Sequence, residues 1–421
     1  MKYNFKLFLL AAATLFAGNC MTSCSDDDLG PSIFDTTEHP LDRTSYTFPL
    51  DTFIKKNYQE PYNLRFVYKM EDIGSDMQKN LIPASYEKST ELAVLGKYLW
   101  YDVYKKVAGE EFLKLYSPRI IHVIGSPSYN PSSGTETLGE AEGGLKITLY
   151  NTNNLDASDI DNLNEKFFKT MHHEFGHILA QNVTYPTSFP VISQSLYNAI
   201  NWDNDIDSLR AAQGFVSPYG GSQAREDWVE VMANYIVKDS ATWNGLLNTA
   251  RYDWETVEMP ATEFRALESK VTAGMADRDT VGYFVKITVG ETQGISSQQW
   301  MIKRKVVARN SDGSVALTDG KIVYPNLETG GADGINGRDI ILQKLDLVRT
   351  WLKENFGVDI DQVRKEVQTR QWATNPDGSF KLDSNGNYIN KLTEPSETDP
   401  SKTLLETLVD EVKQYESLRT K

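Results

Sequence analysis

Residues 169–181 read KTMHHEFGHILAQ and hold three of the five histidines in the chain. Leu163, Phe167, Met171, Phe175 and Ile178 recur at three- and four-residue steps, which predicts one amphipathic helix with Asp161 as its N-cap. Side chains four apart on a helix project from neighbouring turns of one face, so His173 and His177 can share a single divalent ion. His172 points about 100° away from His173 and has Gly176 four residues on. It is expected beside the site, partly exposed or hydrogen-bonded, and not on the ion. Glu174 completes an H-E-x-x-H pattern, in which a carboxylate beside a metal-polarised water takes its proton and passes it to a leaving amine.

A third ligand must come from elsewhere. No histidine follows His177, which excludes the three-histidine class of zinc peptidases. The segment REDWVEVMANYI, residues 225–236, offers Glu226 and Glu230 one turn apart on a common helical face, with Val229, Met232 and Ile236 as a stripe suited to packing against the first helix. Spacing alone leaves both carboxylates open as the ligand.

Around these two segments the text alternates irregularly between strand and helix, which favours an α+β layer structure. Leu64, Phe66 and Tyr68 alternate like a half-buried strand; Ile120 to Ile124 and GGLKITLYN, with Leu145, Ile147 and Leu149 at period two, read as two more. His122, inside the second of these, is expected to be a satisfied structural histidine. Ser89 to Val107 places Leu92, Leu95, Leu99 and Val103 on one helical face. Thr-, Val- and Lys-rich runs from about Val281 to Tyr324, broken by SDGS and TDG, read as β-hairpins. ILQKLDLVRTWLKENFG returns to helix, with Gly357 placed as its C-cap, and a further helix follows near Asp361 to Thr369. The turn signals PDG and SNGN predict a small hairpin before a last helix from about Thr403.

Charge and composition narrow the partners. The chain has 421 residues, 43 Lys plus Arg against 58 Asp plus Glu, and a formal charge of -15 with no basic run, so no nucleic acid is expected to bind. The first residues, MKYNFKLFLLAAATLFAGNCMTSC, put Lys2 and Lys6 ahead of a short apolar run, the pattern of an export signal. Its end resembles the lipobox of bacterial lipoproteins, with small residues just before Cys24, and Cys24 is expected to carry the lipid. Cys20 and Cys24 are the only cysteines, so no disulfide framework exists in the mature chain. The SDDD that follows resembles the acidic tether of surface-exposed lipoproteins, and His39 falls in this leash.

Taken together, the run from YNLRFVYK through GGLKITLYN, HHEFGHILAQ, FVSPYGG and EDWVE to ILQKLDLVRTWL resembles the zinc-binding metallopeptidase family of Bacteroidetes lipoproteins, over residues 46 to 240 and 338 to 370. HEFGH with an E-x-x-x-E helix about fifty residues on is also similar to the zinc domain of the anthrax lethal factor family. The resemblance implies a zincin-like fold, one Zn²⁺ per chain on His173, His177 and Glu226, Glu174 as general base, and Glu230 orienting a ligand. Tyr219, seven residues before Glu226, would donate to the developing oxyanion. The substrate would be a peptide or protein, laid by β-addition against the GGLKITLYN strand as the cleft edge.

The implied plan is a signal peptide over 1–23, a tether over 24–45, a catalytic core over 46–244, a β-rich insertion over 245–335, completing helices over 336–370, and a C-terminal hairpin and helix over 371–421. Such a chain would act as a monomer at the outer membrane or cell surface, touching the membrane only through its lipid. Two other readings stay open at this point: a surface binding or assembly module whose zinc site is not catalytic, and a zinc hydrolase for a non-protein amide.

Overall fold

The helix that carries HHEFGH lies against a small mixed sheet. The computed structural model describes residues 41–70, 81–129, 136–137, 139–142, 146–200, 202, 206–276, 278–292, 295–325 and 336–419, and Tyr46–Lys421 form one unit. The expected signal peptide, Cys20, Cys24, His39 and most of the tether lie outside the described residues, as does Leu145.

Strands β1 (Arg65–Val67), β2 (Ile120–Val123), β3 (Gly139–Glu142) and β4 (Lys146–Leu149) stand in the order β1-β2-β4-β3. β1, β2 and β4 are parallel, and β3 closes the edge antiparallel to β4. Phe66, Ile121 and Ile147 lie in register across the parallel strands and are buried, the cross-strand row that an apolar period-two pattern builds. One expectation is corrected here. The GGLKITLYN strand is interior, and the edge beside the site is β3, whose sequence GEAE has none of the apolar alternation that flags a strand.

Helix α1 (Tyr86–Gly96) is capped by Ser85 and continues through a π turn, Lys97–Tyr101, into Asp102–Ala108. Leu92, Leu95, Leu99 and Val103 are all buried along it. The site helix is built the same way: Ile160–Leu163, a π turn at Asn164–Phe168, then α2 (Lys169–Asn182). Its N-cap is Asp159, which accepts from the Asn162 N–H at 3.0 Å, and not Asp161, which sits inside the first turn. A carboxylate there still favours the positive helix end but cannot reach back to cap it.

Short helix α3 (Asp207–Ala212) leads to α4 (Ala224–Val237), which is buried along nearly its whole length. The two site helices cross closely at Gly176, where a Cβ would stand 2.8 Å from Val229 Cγ1. Gly139 plays the same part between sheet and helix, since its Cβ would meet Thr170 Cγ2. Two further helices, α5 (Gly337–Phe356) and α6 (Ile360–Gln371), flank α4, with Gly357 at φ 68° ending α5 as expected. The last carbonyls of α4 have no partners in their own helix. Gln368 of α6 donates to those of Ile236 and Val237, and Asn164 of the π turn also donates to Val237.

In the stretch expected to be β-rich, β5 (Trp254–Glu258), β6 (Tyr283–Thr292) and β7 (Ile295–Lys305) form an antiparallel sheet with β7 in the centre. Helix Ala261–Thr272 packs on it through buried Phe264, against Phe284 and Trp300. The helix Ser240–Thr249 runs across the position where this stretch was expected to begin. After α6 the expected hairpin is reduced to isolated bridges around two tight turns, whose bends are held by Asp377 and Asp383 accepting backbone N–H groups. Thr403 then caps α7 (Leu404–Lys413) in a reciprocal box with Glu406. Among the described residues, no helix is long and apolar enough to cross a membrane.

Candidate metal centre

His173 and His177 project from adjacent turns of α2 toward the first turn of α4, as their spacing requires. The Nε2 atom of each lies 3.1 Å from the same oxygen, Oε2 of Glu226. Their rings are 4.9 Å apart and nearly perpendicular, at 79°. Two imidazole nitrogens and one carboxylate oxygen are a donor set that zinc takes while keeping a fourth position open. A tetrahedral centre with bonds of about 2.0 to 2.1 Å would hold its donors roughly 3.3 Å apart, so the observed separations fit that ion. Among the described residues this is the one trio of such side chains that converges.

Glu226 and Glu230, left equivalent by spacing, separate in space. Glu230 lies 2.7 Å from Nδ1 of His173, the nitrogen turned away from Glu226. Glu230 in turn accepts from Ser217 Oγ at 2.5 Å and from Asn234 Nδ2 at 3.0 Å. Its carboxylate therefore fixes the ring that must face an ion, an arrangement common behind metal-bound histidines. The other oxygen of Glu226 receives Arg225 Nε at 2.9 Å.

Burial opposes the charges of His173, Glu226 and Glu230, and their partners overcome it. Burial alone would lower the pKa of His173, but hydrogen bonds to Glu226 and Glu230 push it up to about 10. Burial likewise works against the anionic forms of both glutamates, yet the imidazoles, and for Glu230 the Lys169 ammonium, hold them well below the usual carboxylate range. Glu174 is 7 % exposed, and burial raises its pKa while the two histidines pull it back.

His172 faces the other way. It is wholly buried beside Trp100 and Tyr104, with Nδ1 3.0 Å from the Tyr104 hydroxyl, and burial lowers its pKa to about 3, so it is neutral. Of the two expected states, partly exposed or hydrogen-bonded, it takes the second, because α2 packs that flank into the aromatic core. His122 is half-buried in β2, away from the trio.

Tyr219 stands in a short turn, Tyr219–Gly221, just before α4. Its ring stacks on that of His173 at 5.7 Å and meets Trp202 edge-on, and it remains 37 % exposed at the mouth. Burial and the nearby Glu226 raise its pKa, so the phenol keeps its proton. Glu174, His173 and Tyr219 share the wall of a cavity of about 570 Å³.

The loop that carries Ser217 and Tyr219 is tied down beneath the site. Lys344 and Asp227, both wholly buried, pair at 2.7 Å. Lys344 also donates to the Gly214 carbonyl, and Tyr197 donates to Asp227. Sequence reading missed Arg225, Ser217 and Asn234. Asn234 was legible in principle, one turn past Glu230, whereas Ser217 reaches the site through a loop path that no periodicity encodes.

Three comparisons bear on this geometry. Residues 44–361 match the family model described as putative zinc-binding metallo-peptidase, bounds that enclose the stretch between 240 and 338 that the motifs left unmatched. A 2.10 Å crystal structure of a putative zinc-binding metallo-peptidase from Bacteroides caccae is similar, with 31 % identity, a TM-score of 0.51, and coverage of 77 % of this chain and 93 % of that one. No curated protein matches the chain.

Proposed function

The chain belongs to the putative zinc-binding metallo-peptidase family, and from that premise we propose that it hydrolyses peptide bonds with one zinc ion held by His173, His177 and Glu226. The observation that carries this reading is the single Glu226 oxygen lying 3.1 Å from both Nε2 atoms. A bound zinc supplies Lewis acidity, polarising a carbonyl and lowering the pKa of water to about 7.

The chain's own side chains do the rest. Glu174 takes the proton of the attacking water and returns it to the leaving amine, work suited to a carboxylate whose burial raises its pKa. The Tyr219 hydroxyl, held protonated, donates to the oxygen on which charge develops. Glu230 keeps the His173 ring oriented, and Arg225 holds the second oxygen of Glu226. The protein works as a monomer on peptide or protein substrates, bound as an added strand along the β3 edge. It is exported and anchored at the outer membrane or cell surface by lipid on Cys24, a reading supported by the sequence of residues 1–28.

The test pairs metal analysis with digestion of a proteome-derived peptide library. The zinc-loaded protein should cleave library peptides, and Glu174→Gln should keep its metal and lose cleavage. Unchanged turnover in Glu174→Gln removes the base, and a library left intact by the zinc-loaded wild type removes the peptidase reading. Mass spectrometry of the mature N-terminus should find a lipid-modified Cys24, and a free Ser25 refutes the anchor.

A further inference from the structure

The cavity beside Glu174 has walls that the hydrolytic step does not use. They follow from the two helices that supply the metal ligands. On α2, Lys169 stands one turn before His173; on α4, Asn234 stands one turn past Glu230, and Lys238 follows as the residue that ends the helix in extended backbone, and all three line the cavity. The ladder of ligands thus continues, away from the metal, as a ladder of hydrophilic side chains.

Asn234 is buried, and Lys169 is largely so. Its side chain is 15 % exposed and its ammonium pairs with Glu165, which is itself 53 % exposed. Lys238 is half-buried and makes no ion pair or side-chain hydrogen bond within the described residues. Val216 and Pro218 contribute apolar wall to the same space. Charged side chains stand among that apolar wall, Glu136, Glu165 and Asp207 besides the two lysines, so an aliphatic side chain would meet ionic groups on several sides.

We infer that this cavity receives the side chain of the substrate residue flanking the scissile bond and selects a long hydrophilic side chain over an aliphatic or aromatic one. The inference rests on the peptidase reading. A leucine or phenylalanine entering here would strip water from Lys169 and Lys238 and give no hydrogen bond in return, which is costly for charged groups. A glutamine, glutamate, lysine or arginine brings a methylene stem for Val216 and Pro218 and a polar head for the two ammonium groups, Glu165 or Asn234. Its head replaces the water that its entry displaces.

The experiment measures binding by calorimetry to the zinc-loaded full chain. The probes are two sets of peptide hydroxamates, with the varied residue on either side of the zinc-binding group, carrying Leu, Phe, Gln, Glu, Lys or Arg. In one set the hydrophilic members should bind at least about tenfold more tightly than Leu and Phe, a difference of about 1.4 kcal/mol. Lys169→Leu should reverse that order, and Lys238→Leu should narrow it. Leu or Phe binding as tightly in the wild type, or no discrimination in either set, overturns the inference. Because ranking by affinity needs no turnover, a failure to cleave any library peptide counts against the peptidase reading and leaves the ranking to decide the subsite.

Discussion

Glu230 touches His173 on the opposite side of the ring from Glu226: Nδ1 to Oε1 is 2.7 Å, while Nε2 to the Glu226 carboxylate is 3.1 Å. The two glutamates therefore have unequal roles although they sit one turn apart on one helix. Removing the carboxylate that orients a ligand typically weakens a metal about 10- to 100-fold without abolishing the site. Glu230→Ala should show that loss in chelator competition, whereas Glu226→Ala should drop bound zinc well below one per chain. Full zinc retention in Glu226→Ala, with loss in Glu230→Ala, would exchange the roles.

Zinc uptake should expel a proton. His173, pushed up to about 10 by its two carboxylate partners, is protonated at neutral pH in the metal-free protein, and its Nε2 must give up that proton to bind zinc. The sign follows: affinity rises with pH below 10, by about tenfold per unit while one proton is displaced. Calorimetry in two buffers of different ionisation enthalpy at pH 7 should read release of a proton on binding. A heat of binding independent of buffer contradicts it.

Gly176→Ala sets two effects against each other. Alanine gains about 1 kcal/mol in helix propensity. The new Cβ would stand 2.8 Å from Val229 Cγ1, and overpacking a core contact costs roughly 1–3 kcal/mol. The clash should win, lowering stability by up to about 2 kcal/mol in urea titration, and Val229→Ala added to it should relieve the clash. A simple gain in stability for Gly176→Ala alone would show that the helices can part.

Lys344→Met should be among the most damaging single changes. It takes the countercharge from buried Asp227, whose pKa burial already pushes up to about 6 and which keeps, among the described residues, only the Tyr197 hydroxyl as donor, a loss of about 3–5 kcal/mol. Asp227→Asn added to Lys344→Met removes the orphan charge and should recover much of that loss. If Lys344→Met alone costs under about 1 kcal/mol, the buried pair does not hold α4 to α5.

These residues also mark how far the sequence could be read. His173, Glu174 and His177 were legible because one helix carries them, and helical spacing decides what shares a face. Glu226 and Glu230 were legible as a pair but not as individuals, since which oxygen meets which nitrogen depends on how α2 and α4 cross at Gly176 and Val229. The parallel strands β2 and β4 showed in their apolar alternation. β3 did not, because GEAE carries no apolar alternation and an edge strand pairs through its backbone on one side only. Asp161 was read as the N-cap that Asp159 turns out to be; both suit the role by type, and only the backbone path separates them. The pairing of Lys344 with Asp227, more than a hundred residues apart, has no local signature at all.

The most direct test is anomalous diffraction at the zinc absorption edge from crystals of the zinc-loaded chain. One strong peak should lie about 2.0 to 2.2 Å from Nε2 of His173, Nε2 of His177 and a carboxylate oxygen of Glu226, with Glu230 on Nδ1 of His173 and outside bonding distance of the ion. A peak on other side chains, or none at this trio with zinc present in excess, would contradict the account.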